Sequence, residues 1–519
     1  MIRNSVKICS VTLPAALVLL LTAGCSFEPP LHVPKPPKTN TYTAGPQINH
    51  TVGVAKAGEA GKVQQFAYGK AAMADWWHLF GSKKINRLVR QAVQQSPTLQ
   101  TAEATLAEAH ENLLSVQGVF WPRIGLDLNP QRQRQSGAAF GGPTRTFSLY
   151  TGQVQVSYTP DFFGLNRLVS NAAKAQEQIQ RNNVQEAYLT LEGNTVAAAI
   201  ELASLNEQVR VRQALITSQQ HILDIIKSQY KLGAVTYLAL VNQESTLAST
   251  QSQMPVLRQS LALERHALAT LVGRIPSQVS LPDLNLGSLK LPRTLPVSLP
   301  SSLVRQRPDI RSAEAQLVAL NAQIGEAVAK MYPLVQITGD LGFENGNLSH
   351  FFDASSLIWT LAANATVTLF DGGTLRANKR AAQDALKAQI GVYQQIVLNA
   401  FQQVADALRA VQHDAQTLAY DQAAYHAARQ SYQLANYQYK DGAIDYITLL
   451  NSQTQYDTSR LALVSAKAQR YVDTAALFVA LGGGWWPSQY GPTTTAPSTT
   501  QPHHKTSNTK PATGRTLHP

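Results

Sequence analysis

Cysteine is nearly absent from this chain: its 519 residues include two, Cys9 and Cys25. Cys9 lies in an N-terminal stretch that reads as a cleaved leader, so the mature chain keeps Cys25 alone and no intramolecular disulfide can form. Packing has to supply the stability. Long apolar runs are absent too. After the leader no segment approaches the roughly 20 consecutive apolar residues that a spanning helix needs, so any membrane passage must use strands closed into a barrel. Catalytic motifs are also missing. His110-Glu111 opens like a zinc-protease motif, but Leu114 stands where the second histidine would be. His221, His266 and His413 are scattered along amphipathic stretches, and Gly482-Gly483-Gly484 runs into Trp485 rather than into a helix. No enzyme, cofactor or catalytic metal is therefore expected. The net charge of +12 is spread without a basic patch, and behind a secretion leader it gives no case for nucleic acid.

The ends of the chain carry the compartment signal. Arg3 and Lys7 precede an apolar run over 13–21 that is too short to span a bilayer, followed by Thr22-Ala23-Gly24-Cys25. That ending resembles a bacterial lipobox, with Thr22 where leucine is usual, and Ser26 resembles the sorting pattern of outer-membrane lipoproteins. Residues 1–24 are expected to be removed and Cys25 to be acylated. Residues 25–74, with Pro29, Pro30, Pro34, Pro36 and Pro37, read as an extended lipidated tether. Residues 487–519 are Thr, Ser, Pro and His without periodicity and are expected to be disordered, His503-His504 included.

Proline is missing from two stretches where its absence matters. Leu165–Lys231 and Thr374–Lys440 are 67 residues each and read as single helices, each roughly 100 Å long at 1.5 Å per residue. Their punctuation matches: the first ends at Tyr230-Lys231-Leu232-Gly233-Ala234, the second at Tyr439-Lys440-Asp441-Gly442-Ala443. Pro97 and Pro308 stand 211 positions apart, as do Pro122 and Pro333, while Gly233 and Gly442 stand 209 apart. The chain is duplicated, each copy running helix, strand, strand, long helix, shorter helix. The copies occupy 75–274 and 304–486, joined by a Pro-rich linker over 275–303.

Between the helices of each copy lie segments of period-2 alternation: 124–129 and Gln153-Val154-Gln155-Val156-Ser157-Tyr158, then 335–343 and Asn364-Ala365-Thr366-Val367-Thr368-Leu369. The Gly/Ser/Pro-rich 136–144 and the segment 345–356 become the outer turns of two hairpins. An apolar-out, polar-in alternation suits a water-filled barrel. Four strands are too few to close one, whereas three chains would supply twelve. Tyr425, Tyr432 and Tyr439 at heptad spacing, and Val211, Leu215, Ile222 and Ile226 at steps of four and seven, give the helices coiled-coil seams.

These residues resemble the bacterial outer-membrane efflux channel family of TolC and OprM type, in its NodT-like lipoprotein branch. The resemblance rests on Asp75-Trp76-Trp77-His78-Leu79-Phe80, Ser96-Pro97 with Arg307-Pro308-Asp309, Leu369-Phe370-Asp371-Gly372-Gly373, Tyr439-Lys440-Asp441-Gly442 and Ala480-Leu481-Gly482-Gly483-Gly484-Trp485. It implies a mainly α fold with a membrane β-barrel: a homotrimer with a twelve-stranded barrel, four strands per chain, above an α-helical tunnel and an equatorial belt. It also implies a passive exit duct working with a periplasmic adaptor and an inner-membrane pump, the RND type favoured, among outer-membrane lipids. The adaptor would dock at Tyr230, Gly233, Tyr439 and Gly442. The family's acidic aperture positions fall on Thr448 and Asn451, both uncharged, so the periplasmic mouth is expected to use Asp445, Tyr446, Thr448 and Asn451. The four methionines, Met1, Met73, Met254 and Met331, form no pairs, which argues against copper and for small organic solutes. A protein secretion component and a non-transporting coiled-coil lipoprotein are the alternatives.

Overall fold

The computed structural model describes residues 27–35, 37–139 and 143–483. Cys25, Trp485 and the tail lie outside them. In chain order the elements begin with strand β1 (Gln65–Tyr68) and helices α1 (Lys83–Gln95) and α2 (Pro97–Gln117). A hairpin of β2 (Arg123–Gln135) and β3 (Arg145–Tyr158) leads into α3 (Leu165–Lys231) and its return α4 (Tyr237–Leu271). The linker carries β4 (Thr294–Val297) and α5 (Pro300–Gln306). The second copy repeats the order as α6 (Pro308–Ala329), β5 (Leu334–Asn345), β6 (Leu357–Thr366), α7 (Thr374–Lys440) and α8 (Tyr446–Ala480).

The duplication is matched to the residue: α3 and α7 have 67 residues each, α4 and α8 have 35 each. Gly164 and Gly373 precede the rods at φ 74° and 93°, a left-handed turn that glycine adopts without steric cost, so the chain swings from strand into helix at both places. The first half of α3 packs against α2 and α6, where Tyr188 Oη donates to Glu103 at 2.7 Å and Ser312 Oγ to Asn183 Oδ1 at 2.8 Å. Its second half packs against α4 and α8. The rods are too long for one core, so partners succeed one another along them.

The strands form one antiparallel sheet ordered β2-β3-β5-β6, so the two hairpins join at β3 and β5. One face is apolar and bare: Ile124, Leu126 and Leu128 are 70%, 69% and 68% exposed, and Trp359 and Leu361 continue the band. The opposite face carries Asp127, Gln153, Gln155, Asp340 and Thr360, with Thr151 Oγ1 donating to Glu344 at 3.1 Å. Three strand expectations need correction. The first strand runs on to Gln135, the second begins at Arg145 rather than Gln153, and the last occupies Leu357–Thr366 rather than the alternating 364–369. Leu334 opposite Thr366 is the final rung of β5–β6, beyond which the chain must leave the sheet to reach Gly372-Gly373. Alternation alone could not see that rung.

The expected N-terminal tether is extended but not free. Asn321 Nδ2 donates to Pro29 O at 2.8 Å, Tyr42 Oη to Ser298 O at 2.8 Å, and β1 pairs in parallel with β4. Arg470 on α8 is fully buried and donates to Thr51 Oγ1 (2.9 Å), Lys62 O (3.1 Å), Gln64 Oε1 (3.1 Å) and Ala60 O. Beside it, Trp76 stacks on Phe478 with centroids 5.4 Å apart. The N-terminal segment, the linker and the end of α8 thus share one core midway along the rods.

Candidate channel tip and membrane rim

The two rods end in the same way. Gly233 and Gly442 take φ of 71° and 72°. Ala234 N–H reaches back to Gln229 O at 2.9 Å and Gly233 N–H to Tyr230 O at 2.9 Å; Ala443 N–H and Gly442 N–H do the same to Gln438 O (2.8 Å) and Tyr439 O (3.1 Å). Each is a Schellman cap, in which the left-handed glycine lets the last helical carbonyls find donors. The return helices are capped by Thr236, accepting from Ala239 N–H at 3.3 Å, and by Asp445, accepting from Thr448 N–H at 2.9 Å.

The structure separates the four expected aperture residues. Thr448 and Asn451 are exposed, as is Asp445, whose carboxyl is held below its ordinary range by the Thr448 hydroxyl and amide. Tyr446 is not available to a mouth: it is buried among Ile226, Ala239, Ala435 and Leu449, between the two helical hairpins. Its hydroxyl donates to Gln243 Oε1, and burial pushes its pKa well up. It pairs edge-on with Tyr439, centroids 6.0 Å apart, and Tyr439 Oη donates to Gln229 at 3.1 Å. Tyr230 and Tyr237 lie 5.8 Å apart with tilted rings in the first copy, but stand exposed beside Leu232, which is 83% exposed. The heptad tyrosines Tyr425 and Tyr432 both meet Tyr456 of α8, at 5.8 and 5.5 Å.

A polar network above the tip was not legible in the sequence. Gln243 Nε2 donates to Gln219 O at 3.0 Å, and Gln219 Nε2 to Asp457 Oδ2 at 3.2 Å, all three residues buried. Burial pushes Asp457 up to about 6, opposed by the Gln219 hydrogen bond and by Arg460 and Arg212. The only sequence signal is a carboxylate and two glutamines on coiled-coil faces that otherwise repeat apolar residues.

At the other end, Phe27 stacks on Tyr332 at 4.4 Å and Tyr332 on Phe163 at 5.3 Å. This stack stands where β5 begins and just after β3 ends, at the helix-side rim of the sheet.

An unfinished sheet with a bare apolar face, set on helices long enough to cross a periplasm, is the build of an export channel protomer. The family model described as outer membrane efflux protein matches residues 88–274 and 299–483, one span per copy. The chain belongs to the outer membrane efflux protein family and is an outer-membrane channel that extends into the periplasm. Among its relatives, the pyoverdine export outer membrane protein OpmQ of Pseudomonas putida is 28% identical over 79% of this chain and 88% of its own length. The cation efflux system protein CusC of Escherichia coli K12 is 26% identical over 91% of this chain and 99% of its own. The solved outer-membrane channel OprN superposes with a TM-score of 0.78 at 24% identity, covering 87% of this chain and 99% of that one.

Proposed function

We propose that three copies assemble into a passive duct for small organic solutes, docked through a periplasmic adaptor to an inner-membrane pump of RND type. The observation that carries this reading is the four-stranded sheet, apolar outside and polar inside, with both edges unpaired among the described residues. An unpaired backbone group inside hydrocarbon costs several kcal/mol, so each edge demands a partner strand. Twelve strands leave room for an aqueous lumen lined by the polar face. Purified protein should insert into a planar bilayer and give stepwise conductance; a stalk protein would give none. The relatives named for pyoverdine and for cations are about equally similar, so the cargo class rests on the methionines: Met73, Met254 and Met331 are far apart in the chain.

The adaptor docks on the tips at Tyr230, Gly233, Tyr439 and Gly442, where the exposed Leu232, Tyr237 and Leu238 offer apolar anchors. Thr448, Asn451 and Asp445 line the mouth, and their single charge per chain makes cation selectivity weak. A reversal-potential measurement under a salt gradient tests this: strong selectivity that survives Asp445→Asn would refute it. Cys25 carries the acyl chains. In the sequence it precedes by two residues Phe27, which stacks on Tyr332 at the rim of the sheet. Cys25→Ser should abolish acyl labelling while the barrel keeps the protein in the membrane.

A further inference from the structure

We propose that Arg132 and Arg134 hold the phosphate of a glycolipid in the outer leaflet of the membrane. The site rests on the reading that the apolar face of the sheet meets lipid, and gives that face a specific ligand. The register of β2 on β3 and of β3 on β5 is unbroken, so the two faces can be followed from rung to rung. Arg123, Asp127, Arg145, Asp340 and Glu344 all fall on the polar face, in phase with Gln153 and Gln155. Arg132 and Arg134 fall on the other, in phase with Ile124, Leu126 and Leu128. They are the only charged strand residues there, both are exposed, and they are neighbours on one face, about 6.6 Å apart along the strand.

Their height is that of a headgroup. Ile124 stands at the helix-side end of β2, and the two arginines follow it by 8 and 10 positions. At about 3.3 Å per residue that is about 26 and 33 Å along the strand, which a tilt near 40° reduces to about 20 and 25 Å of height. The apolar band of an outer-membrane barrel is about 25 Å tall, so the pair stands at its outer boundary. Aromatic side chains mark the same boundary independently. On the apolar face Tyr150 lies opposite Pro130, Phe343 opposite Gly152 and Trp359 opposite Leu341. The outer turn of the second hairpin folds Phe351 down onto Gly152, where an added Cβ would lie 2.9 Å from the ring, with Phe343 and Phe352 at centroid distances of 6.0 and 5.0 Å. Aromatic belts sit at the headgroup level, and the arginines occupy the next two rungs beyond Pro130.

The chemistry of the cluster selects the ligand. Arg132 faces Ser148 across the ladder and Arg134 faces Thr146, directly opposed pairs whose Cβ atoms lie about 4.5–5.5 Å apart. Two guanidinium forks and two hydroxyls, with every strand carboxylate on the opposite face, are completed by an oxyanion. In the outer leaflet that oxyanion is a lipid phosphate, whose acyl chains descend over Leu128 and Leu126. The first copy alone carries the cluster: 211 positions on, Phe343 and Asn345 stand where Arg132 and Arg134 would be.

Native mass spectrometry of the purified protein tests the site, by titration with bisphosphorylated lipid A, with the same lipid dephosphorylated, and with inorganic phosphate. The wild type should bind the phosphorylated lipid about tenfold more tightly than the dephosphorylated one. Arg132→Gln with Arg134→Gln should remove that preference while the conductance steps persist. Arg145→Gln, which removes a charge one rung further out on the polar face, should bind as the wild type does. Equal binding of both lipids by the wild type, or a preference that survives in the double variant, overturns the site. Inorganic phosphate that displaces the lipid at equal concentration makes this a free-phosphate site and overturns the lipid assignment. A wild-type protein that gives no conductance overturns the barrel reading on which the site rests.

Discussion

Tyr446→Phe removes one oxygen from the packed tip and leaves Gln243 Oε1 buried without a donor. Gln243 is fully buried, and its Nε2 is already committed to Gln219 O at 3.0 Å, so the side chain cannot turn to seek water without breaking a second bond. Leaving a buried acceptor unsatisfied costs about 1–3 kcal/mol. The closed packing of the two hairpins should weaken by that amount, which at 1.36 kcal/mol per decade is about 5- to 150-fold in the local opening equilibrium. Hydrogen exchange of the amides over 231–240 and 441–450 reads it directly, since protection in this segment follows local opening. Protection should fall by that factor at the tip and stay unchanged in the core around Arg470. Adding Gln243→Met, which replaces the stranded acceptor with an apolar side chain of similar length, should restore part of the loss. Tip exchange identical to the wild type in Tyr446→Phe would refute the reasoning, because the hydroxyl would then not hold the hairpins together.

Asp457→Asn should stabilise the seam between α3 and α8 at neutral pH. Its folded pKa is raised, so the fold binds the proton more tightly than the open chain, and stability is lost as pH rises from about 4 through about 6. The asparagine should therefore gain at most about 3 kcal/mol at pH 7.5 and nothing at pH 4, in thermal unfolding of the detergent-solubilised protein. Arg470→Met should destabilise the equatorial core by about 3–5 kcal/mol and leave residues 51–64 open to protease, because it strips donors from three buried acceptors and the half-buried Lys62 carbonyl. Gly442→Ala meets no atom within 4 Å of the new Cβ, so its cost is the left-handed backbone alone, about 1–2 kcal/mol, read as faster exchange at the second tip with the barrel unaffected.

Much of this architecture was legible because it is written twice. A proline-free rod bounded by glycines reads as a helix, and finding it again 209 residues later, closed by Tyr-Lys-x-Gly-Ala, fixes its ends more securely than propensity could. The polar-in, apolar-out strands were equally plain at 153–158. Long-range partners decided the rest. The last strand was misplaced because its end is set by Leu334 across the sheet, not by local alternation. Residues 27–74 looked like a tether because their anchors, Asn321, Ser298 and Arg470, lie hundreds of residues away. Tyr446 was assigned to the mouth from its place after Gly442; only the turn of α8 aims it at Gln243 rather than outward.

The equal lengths of the rods have a consequence for how such a protein can change. With α3 matched to α7 and α4 to α8, the helical columns of an assembly end in one plane. One residue added to a single rod would lower its tip by about 1.5 Å and turn every side chain beyond it by about 100°, taking the seam with Tyr456 out of phase. A deeper or shallower periplasm cannot be met one codon at a time. It requires matched insertions in four helices, in blocks near seven residues that return the seam to phase, so the reach of this channel changes in steps of roughly 10 Å.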